Sequence, residues 1–265
     1  MKILKKYISI IIVTYNSREH IEACINSINK QKYPENYIVE IVIVENLSTD
    51  GTYDFIREKF PSLKIVKNSE NNGYGNGNNL GAKNANGEYL VIINPDTIVE
   101  EGWLEKLIEP LTENKKLITT PKVLIYDGSK INACGLIIHF TGLGFTRGFR
   151  SEKKLFSEIE YVNGIFGCCF AIKKEDFKYL GGFDENIFMY GEDVDLSYRA
   201  HLNGFKIQFI PSAIVKHDYD LIVPAEKIYH LEKGRYLILK KYMTAKDLIL
   251  LLPSLIMAEA LAFGY

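Results

Sequence analysis

Short, nearly unbroken apolar runs set the rhythm of the first hundred residues. Ile8 to Val13 is β-branched and apolar apart from Ser9, and it stops at once in Thr14-Tyr15-Asn16. Beyond it Ile21, Cys24, Ile25 and Ile28 recur at helical spacing, with Ser17 placed to cap the helix. The same unit then repeats. Ile38 to Val44 is interrupted only by Glu40, and Ser48-Thr49-Asp50-Gly51-Thr52 predicts a capped short helix through Lys59. Leu63 to Val66 predicts a third, shorter strand. The glycine- and asparagine-rich stretch Asn71 to Gly81 reads as a loop leading into a helix over Ala82 to Ala85, and Tyr89 to Ile93 predicts a fourth strand ending in Asn94-Pro95-Asp96.

Runs that are continuous rather than alternating, separated by helices, predict an α/β fold whose mostly parallel sheet is covered on both faces. In such sheets ligands bind beyond the carboxyl ends of the strands. Thr14-Tyr15-Asn16, Glu45-Asn46 and Asn94-Pro95-Asp96 should therefore converge on one crevice. After Pro121 the pattern loosens. Asp127 to Arg150 predicts irregular strands or a mobile loop over the site, Phe166 to Ile172 a buried strand, and Lys174 to Leu180 a short helix. Gly191-Glu192-Asp193-Val194-Asp195 then opens a helix whose Val194, Tyr198 and Leu202 form the expected core face. Phe205 to Ile210 returns as a strand ending at Pro211, followed by His217-Asp218.

At 265 residues and 47% hydrophobic, the chain is long enough for one large domain, placed at residues 1–240, with a helical segment over 241–265. A net charge of −1 offers no electrostatic reason to expect a nucleic-acid partner. Four cysteines without C-x-x-C spacing point to structural thiols in a reducing, cytoplasmic compartment. The basic start, Met1-Lys-Ile-Leu-Lys-Lys, runs into a buried strand and not into a signal-peptide core. Leu248 to Tyr265 is apolar apart from Ser254 and Glu259, with Lys240, Lys241 and Lys246 before it. It predicts a helix docked on the domain or lying in the membrane interface, with a spanning segment as the alternative.

Three constellations could carry chemistry. Asn94-Pro95-Asp96 offers an amide oxygen and a carboxylate, hard ligands suited to Mg²⁺ or Mn²⁺, although the same three residues also make an ordinary turn. Asn71 to Gly81, with Asn72, Gly73 and Asn79 as the binding positions, offers backbone N–H groups to an anion. It matches neither a Walker A pattern nor G-x-G-x-x-G, and alone it reads better as a structural loop. Glu192, Asp193 and Asp195 sit in a first helical turn, where the macrodipole favours anions. Successive helical residues are about 100° apart, so Asp193 and Asp195 cannot address the same atom. One should face substrate and the other the scaffold. His217 could ligate a metal, against the commoner structural use of a lone histidine.

Ser9 to Asn16, Val44-Glu-Asn-Leu-Ser-Thr-Asp-Gly-Thr52, Asn94-Pro-Asp96 and Gly191-Glu-Asp-Val-Asp-Leu196 occur in order. Together they resemble the family 2 glycosyltransferases over roughly residues 7 to 220. Asn-Pro-Asp-Thr and Asn-x-Gly-Tyr-Gly are most similar to the rhamnosyltransferase branch. The resemblance implies a GT-A fold, a single nucleotide-binding, Rossmann-like domain with a mixed sheet. It also implies inverting transfer from a nucleotide-diphosphate sugar, a UDP- or dTDP-sugar extending to dTDP-rhamnose, to a glycan or lipid-linked acceptor in cell-surface polysaccharide synthesis. By position, Thr14, Tyr15, Asn16 and Glu45 border the nucleoside, Asn94 lies beside the donor, Asp96 holds the divalent metal with His217, and Asp193 is the general base. Glu192 becomes an acceptor-side or positioning contact, and Asp195 part of the scaffold. Two departures stand out: Glu45 and Asn94 replace aspartates usual in the family, and the second removes a charge from the metal site.

Two rival readings are a non-catalytic sugar-nucleotide-binding or membrane-associated module and a nucleotidyltransferase. The latter needs a basic, glycine-rich signature near the first strand, which Thr14-Tyr15-Asn16-Ser17 does not supply. The C-terminal segment adds the expectation of peripheral contact with the cytoplasmic face of a membrane.

Overall fold

The structure is a computed structural model that describes residues 4–113, 115–218 and 224–262. The first three residues of the basic start and the last three of the apolar C-terminal segment lie outside the described residues. The first half runs β1 (Lys6–Thr14), α1 (Ile21–Asn29), β2 (Tyr37–Glu45), α2 (Thr52–Lys59), β3 (Lys64–Lys67), α3 (Gly73–Asn84), β4 (Tyr89–Ile93), β5 (Thr97–Val99) and α4 (Trp103–Glu113). The second half adds β6 (Leu117–Ile125), β7 (Ile131–Ala133), β8 (Leu136–Ile138), β9 (Gly144–Thr146), β10 (Glu160–Tyr161), β11 (Cys169–Lys173), α5 (Lys174–Tyr179), α6 (Glu192–Leu202), β12 (Lys206–His217), α7 (Ala225–Tyr242) and α8 (Ala245–Ala262).

One mixed sheet of order β10-β12-β6-β11-β4-β1-β2-β3 carries the fold. The strands β3, β2, β1 and β4 are parallel, β11 runs antiparallel to both of its neighbours, and β6 and β12 are parallel to each other. Helices cover both faces, as continuous apolar strands require. Ile10 and Ile12 pack with α1 and Trp103 on one face, while Ile11 packs with Ala82 and Phe170 on the other.

Three local expectations need correcting. Asn71 to Gly81 is not a loop, because helix α3 begins at Gly73. Glycine's weak helix propensity is overridden by packing. Gly77 and Gly81, four residues apart, let the helix lie close on the sheet, where an added Cβ at Gly77 would stand 2.7 Å from Val13 and one at Gly81 would collide with Ile11, while Gly73 at the helix start leaves room for the Phe188 carbonyl. Asparagine amides support the same helix by donating to carbonyls four residues back, as Asn78 does to Tyr74 at 3.0 Å. Ser17 does not cap α1: the helix starts at Ile21, and a turn precedes it in which the Ser17 carbonyl accepts the N–H groups of His20 and Ile21.

Pro211, lastly, does not end its strand. A bulge between Ile210 and Ile214 accommodates it, and β12 continues to His217, paired with Thr97 of β5. That continuation brings the histidine beside the Asn94-Pro95-Asp96 turn. The Asp127 to Arg150 stretch resolves into β7 and the β8–β9 hairpin. The expected boundary at Lys240 falls inside α7, which is anchored by Ile238 and Leu239. No helix among the described residues is long and apolar enough to cross a membrane.

Candidate active site

Beyond the carboxyl ends of β1, β2 and β4 lies a cavity of about 810 Å³. Tyr15 and Asn46 border one side, and Asn94, Asp96 and His217 form a second wall. Glu192 and Asp193 form a third, roofed by the β8–β9 hairpin and by α7. The convergence expected from the strand ends is therefore met by Tyr15, Asn46, Asn94 and Asp96.

On the second wall, His217 Nδ1 lies 3.0 Å from Asn132 Oδ1, and Nε2 faces Asp96 Oδ1 at 3.4 Å. Asp96 Oδ1 is buried and accepts no hydrogen bond, and the same is true of Asn94 Oδ1. Acceptors gathered in this way fit a cation. Among the described residues no three His, Cys, Asp or Glu side chains are grouped so as to hold a metal ion. A divalent ion would therefore take Asp96 and His217 and leave positions open for ligand oxygens.

The third wall is built at the start of α6, where Gly191 adopts φ +97° and turns the chain into the helix. Glu192 is buried, and its Oε2 accepts no hydrogen bond. Burial, reinforced by the charge of Asp193, pushes its carboxyl up to about 8. Asp193 is also raised by burial, against the pull of two backbone donors: Gly167 N–H to Oδ2 at 3.0 Å and Val194 N–H to Oδ1 at 2.8 Å. Asp195 points away, fully buried, and takes Arg199 Nη2 at 2.6 Å, Lys241 Nζ at 2.8 Å and the Tyr242 hydroxyl at 2.7 Å. Asp193 and Asp195 thus diverge as helical geometry demands. The expected core face needs correction, since Leu202 is 71% exposed and Val194, Leu196 and Ala200 are the buried apolar positions. Leu202 is the last residue of the helix, past the turns that touch the core.

Several predicted site residues stand behind the cavity wall rather than on it. The Thr14 hydroxyl donates to the Val44 carbonyl at 3.3 Å, and Asn16 Oδ1 accepts the Thr49 N–H at 2.8 Å. Glu45, 2% exposed, folds back to accept the Ser48 N–H at 2.6 Å, which is how the longer side chain is accommodated. Asn72 is exposed and bonds Glu70, while Asn79 bridges the backbone N–H and carbonyl of Phe183 at 2.8 and 2.9 Å. Gly73 does reach the cavity.

The sequence reading missed Tyr74, Gly167, Asn132 and Arg235, all of which line or support the site. Tyr74 was hidden by the expectation of a loop, because only a helix turns it towards Gly167. The Gly234-Arg235 pair carried a signal: Gly234 lies so close to Tyr190 that a Cβ would collide with its carbonyl oxygen, which seats α7 on the acidic turn.

Comparison with known proteins agrees with this arrangement. Residues 9–181 match the Glycosyl transferase family 2 profile, and residues 149–222 match one described as the N-terminal domain of galactosyltransferase. An N-acetylglucosaminyl-diphospho-decaprenol L-rhamnosyltransferase of Mycobacterium tuberculosis is 27% identical over 235 residues, covering 78% of this chain and 75% of that protein. A poly-beta-1,6-N-acetyl-D-glucosamine synthase of Staphylococcus epidermidis is 29% identical over 210 residues, covering 78% of this chain and 48% of that one. The chain thus spans about half the length of that synthase.

Among solved structures, GalNAc-T7 with UDP, GalNAc and Mn²⁺ superposes with a TM-score of 0.72 at 20% identity, over 89% of this chain and 48% of that one. A mannosyltransferase of Pyrobaculum calidifontis, in complex with GDP-Man and Mn²⁺, gives 0.60 at 17% identity, over 96% and 81%. The fold is the GT-A fold, and with the family profile matched over well more than half of its length, the chain belongs to the family 2 glycosyltransferases.

Proposed function

We propose that this chain transfers a sugar, with inversion, from a nucleotide-diphosphate sugar to a hydroxyl of a glycan or lipid-linked acceptor in cell-surface polysaccharide synthesis. One observation carries the reading: the carboxylate of Asp96 and the imidazole of His217 share a single cavity with the backbone-held carboxylate of Asp193.

The donor enters beside Tyr15 and Asn46, with Asn16 and Glu45 shaping that border from behind through the 48–49 backbone and Thr14 through the Val44 carbonyl. Asp96 and His217 would hold Mg²⁺ or Mn²⁺, which neutralises charge on the departing nucleoside diphosphate. Asp193 removes the acceptor hydroxyl proton as that oxygen forms its bond to the anomeric carbon, and the bond from that carbon to the phosphate oxygen breaks on the opposite face. A single displacement inverts the centre. Glu192, whose carboxyl burial raises to about 8, lies beside the base and near pH 7 is mostly protonated. Its place fits contact with the acceptor.

Among the relatives named above, one is named for a decaprenol-linked substrate, one was crystallised with UDP, GalNAc and Mn²⁺ and one with GDP-Man and Mn²⁺. For this chain a UDP- or dTDP-sugar, dTDP-rhamnose included, is the first donor to test. In this reading the enzyme works at the cytoplasmic face of a membrane and touches it through α8. A panel of UDP-, GDP- and dTDP-sugars assayed for Mn²⁺- or Mg²⁺-dependent cleavage tests the function. At least one donor should be cleaved, and Asp96→Ala should remove the metal dependence together with most of the activity. Full activity of Asp96→Ala in excess chelator would exclude the metal role. Donor binding without cleavage or transfer would favour a non-catalytic module.

A further inference from the structure

Gly167 links two walls of the cavity. Its N–H donates to Asp193 Oδ2 at 3.0 Å, and its carbonyl accepts the Tyr74 hydroxyl at 2.7 Å. The next carbonyl, that of Cys168, accepts the Asn94 N–H at 2.9 Å. Three consecutive peptides therefore tie the acidic turn, helix α3 and the Asn94-Pro95-Asp96 turn to one strip. A side chain at 167 would crowd the carboxylate, since an added Cβ would stand 3.2 Å from Asp193 Oδ2 and 3.4 Å from its Cβ. Glycine avoids that contact but brings backbone freedom, which has to be removed from outside.

We propose that Tyr74 is a positioning residue of the acidic turn: by holding the Gly167 carbonyl it fixes the Gly167 N–H against Asp193, and so sets the carboxylate relative to the Asp96 wall. The consequence for transfer rests on the reading of Asp193 as the base. The consequence for Asp193 itself does not.

Burial raises the Asp193 carboxyl, and the Gly167 N–H opposes that rise. Loosening Gly167 should therefore raise it further. The titratable groups near Asp193 are Glu192 beside it, Tyr74 from α3 and Cys168 next to Gly167. Tyr15, Asp96, Tyr190, His217 and Asp218 line the same cavity, as do Lys227 and Arg235 from α7. Tyr74→Phe deletes one oxygen and keeps the ring packed 6.0 Å from Phe183, so it alters none of these charges.

The test is the carboxyl ¹³C titration of Asp193 in the full chain, assigned with Asp193→Asn, in wild type and in Tyr74→Phe. The midpoint should move up by about half a unit to one unit, as loss of an ordered donor to a carboxylate requires, and the Gly167 amide should exchange faster. An unmoved midpoint with an unmoved Gly167 amide would overturn the proposal. So would loss of folding in Tyr74→Phe, because the hydroxyl would then serve the whole core. With a cleavable donor and Mn²⁺ present, the acidic limb of the kcat profile should shift with the midpoint, and kcat should fall about fivefold to tenfold. Asp193→Asn retaining full kcat would remove the base reading and leave the titration result standing.

Discussion

Glu192 and Asp193 are adjacent in sequence, and burial raises both carboxyls. Their acidity, and the divergence of Asp195, were legible from the residue types and from helical geometry. The neutral state of Glu192 was not, because burial and an unsatisfied Oε2 are properties of the folded cavity. The folded carboxyl lies at about 8 against an ordinary 4.5, so the native state binds the proton more tightly than the unfolded chain. The stability from this group is complete below the unfolded value and is lost as pH rises through about 8. Glu192→Gln should therefore flatten the fall in Tm between pH 5 and pH 8.5 and leave the variant the more stable protein at the alkaline end. An unchanged slope would show that Glu192 is solvated. Tyr74 and Gly167 stayed hidden for a related reason, since neither carries charge and their role exists only as a contact between distant elements.

At the scale of elements, strands were the most legible feature, because buried β-branched runs have one reading. Helix α3 was the least legible. A segment of glycines and asparagines looks like a loop until the surface it must approach is known, and here Ile11, Val13 and Val44 demand a helix without side chains on one stripe. Pro211 misled in the same way, because a bulge absorbs it within β12.

Helix α8 is apolar on its exposed side as well as its half-buried one. Leu248, Leu251 and Leu255 lie on its half-buried side with Asp247 and Ser254, while Ile249, Leu250, Leu252, Ile256 and Met257 are more than half exposed, with Lys240 and Lys246 exposed nearby. That combination suits an anionic membrane interface. The full chain should sediment with vesicles containing anionic lipid, less so at high salt, and Ile249→Asp with Ile256→Asp should abolish the association. Equal recovery of wild type and variant in the supernatant would remove membrane contact from the account.

For the molecule as a whole, the sheet sets the distance between two chemistries. β4 and β12 carry Asp96 and His217, α6 carries Asp193, and α7 locks the acidic turn through Lys241 and Tyr242 on Asp195. The sequence motifs marked both walls, but the link between them and the seat of α7 required the fold. The central claim is that the walls divide the work, donor on one and proton on the other. Asp193→Asn separates them most directly, with donor affinity measured by calorimetry in Mn²⁺ and transfer measured in parallel. Donor affinity should stay within about twofold while transfer falls by ~10²–10⁴. Unchanged transfer, or an equal loss of donor binding, would contradict the account.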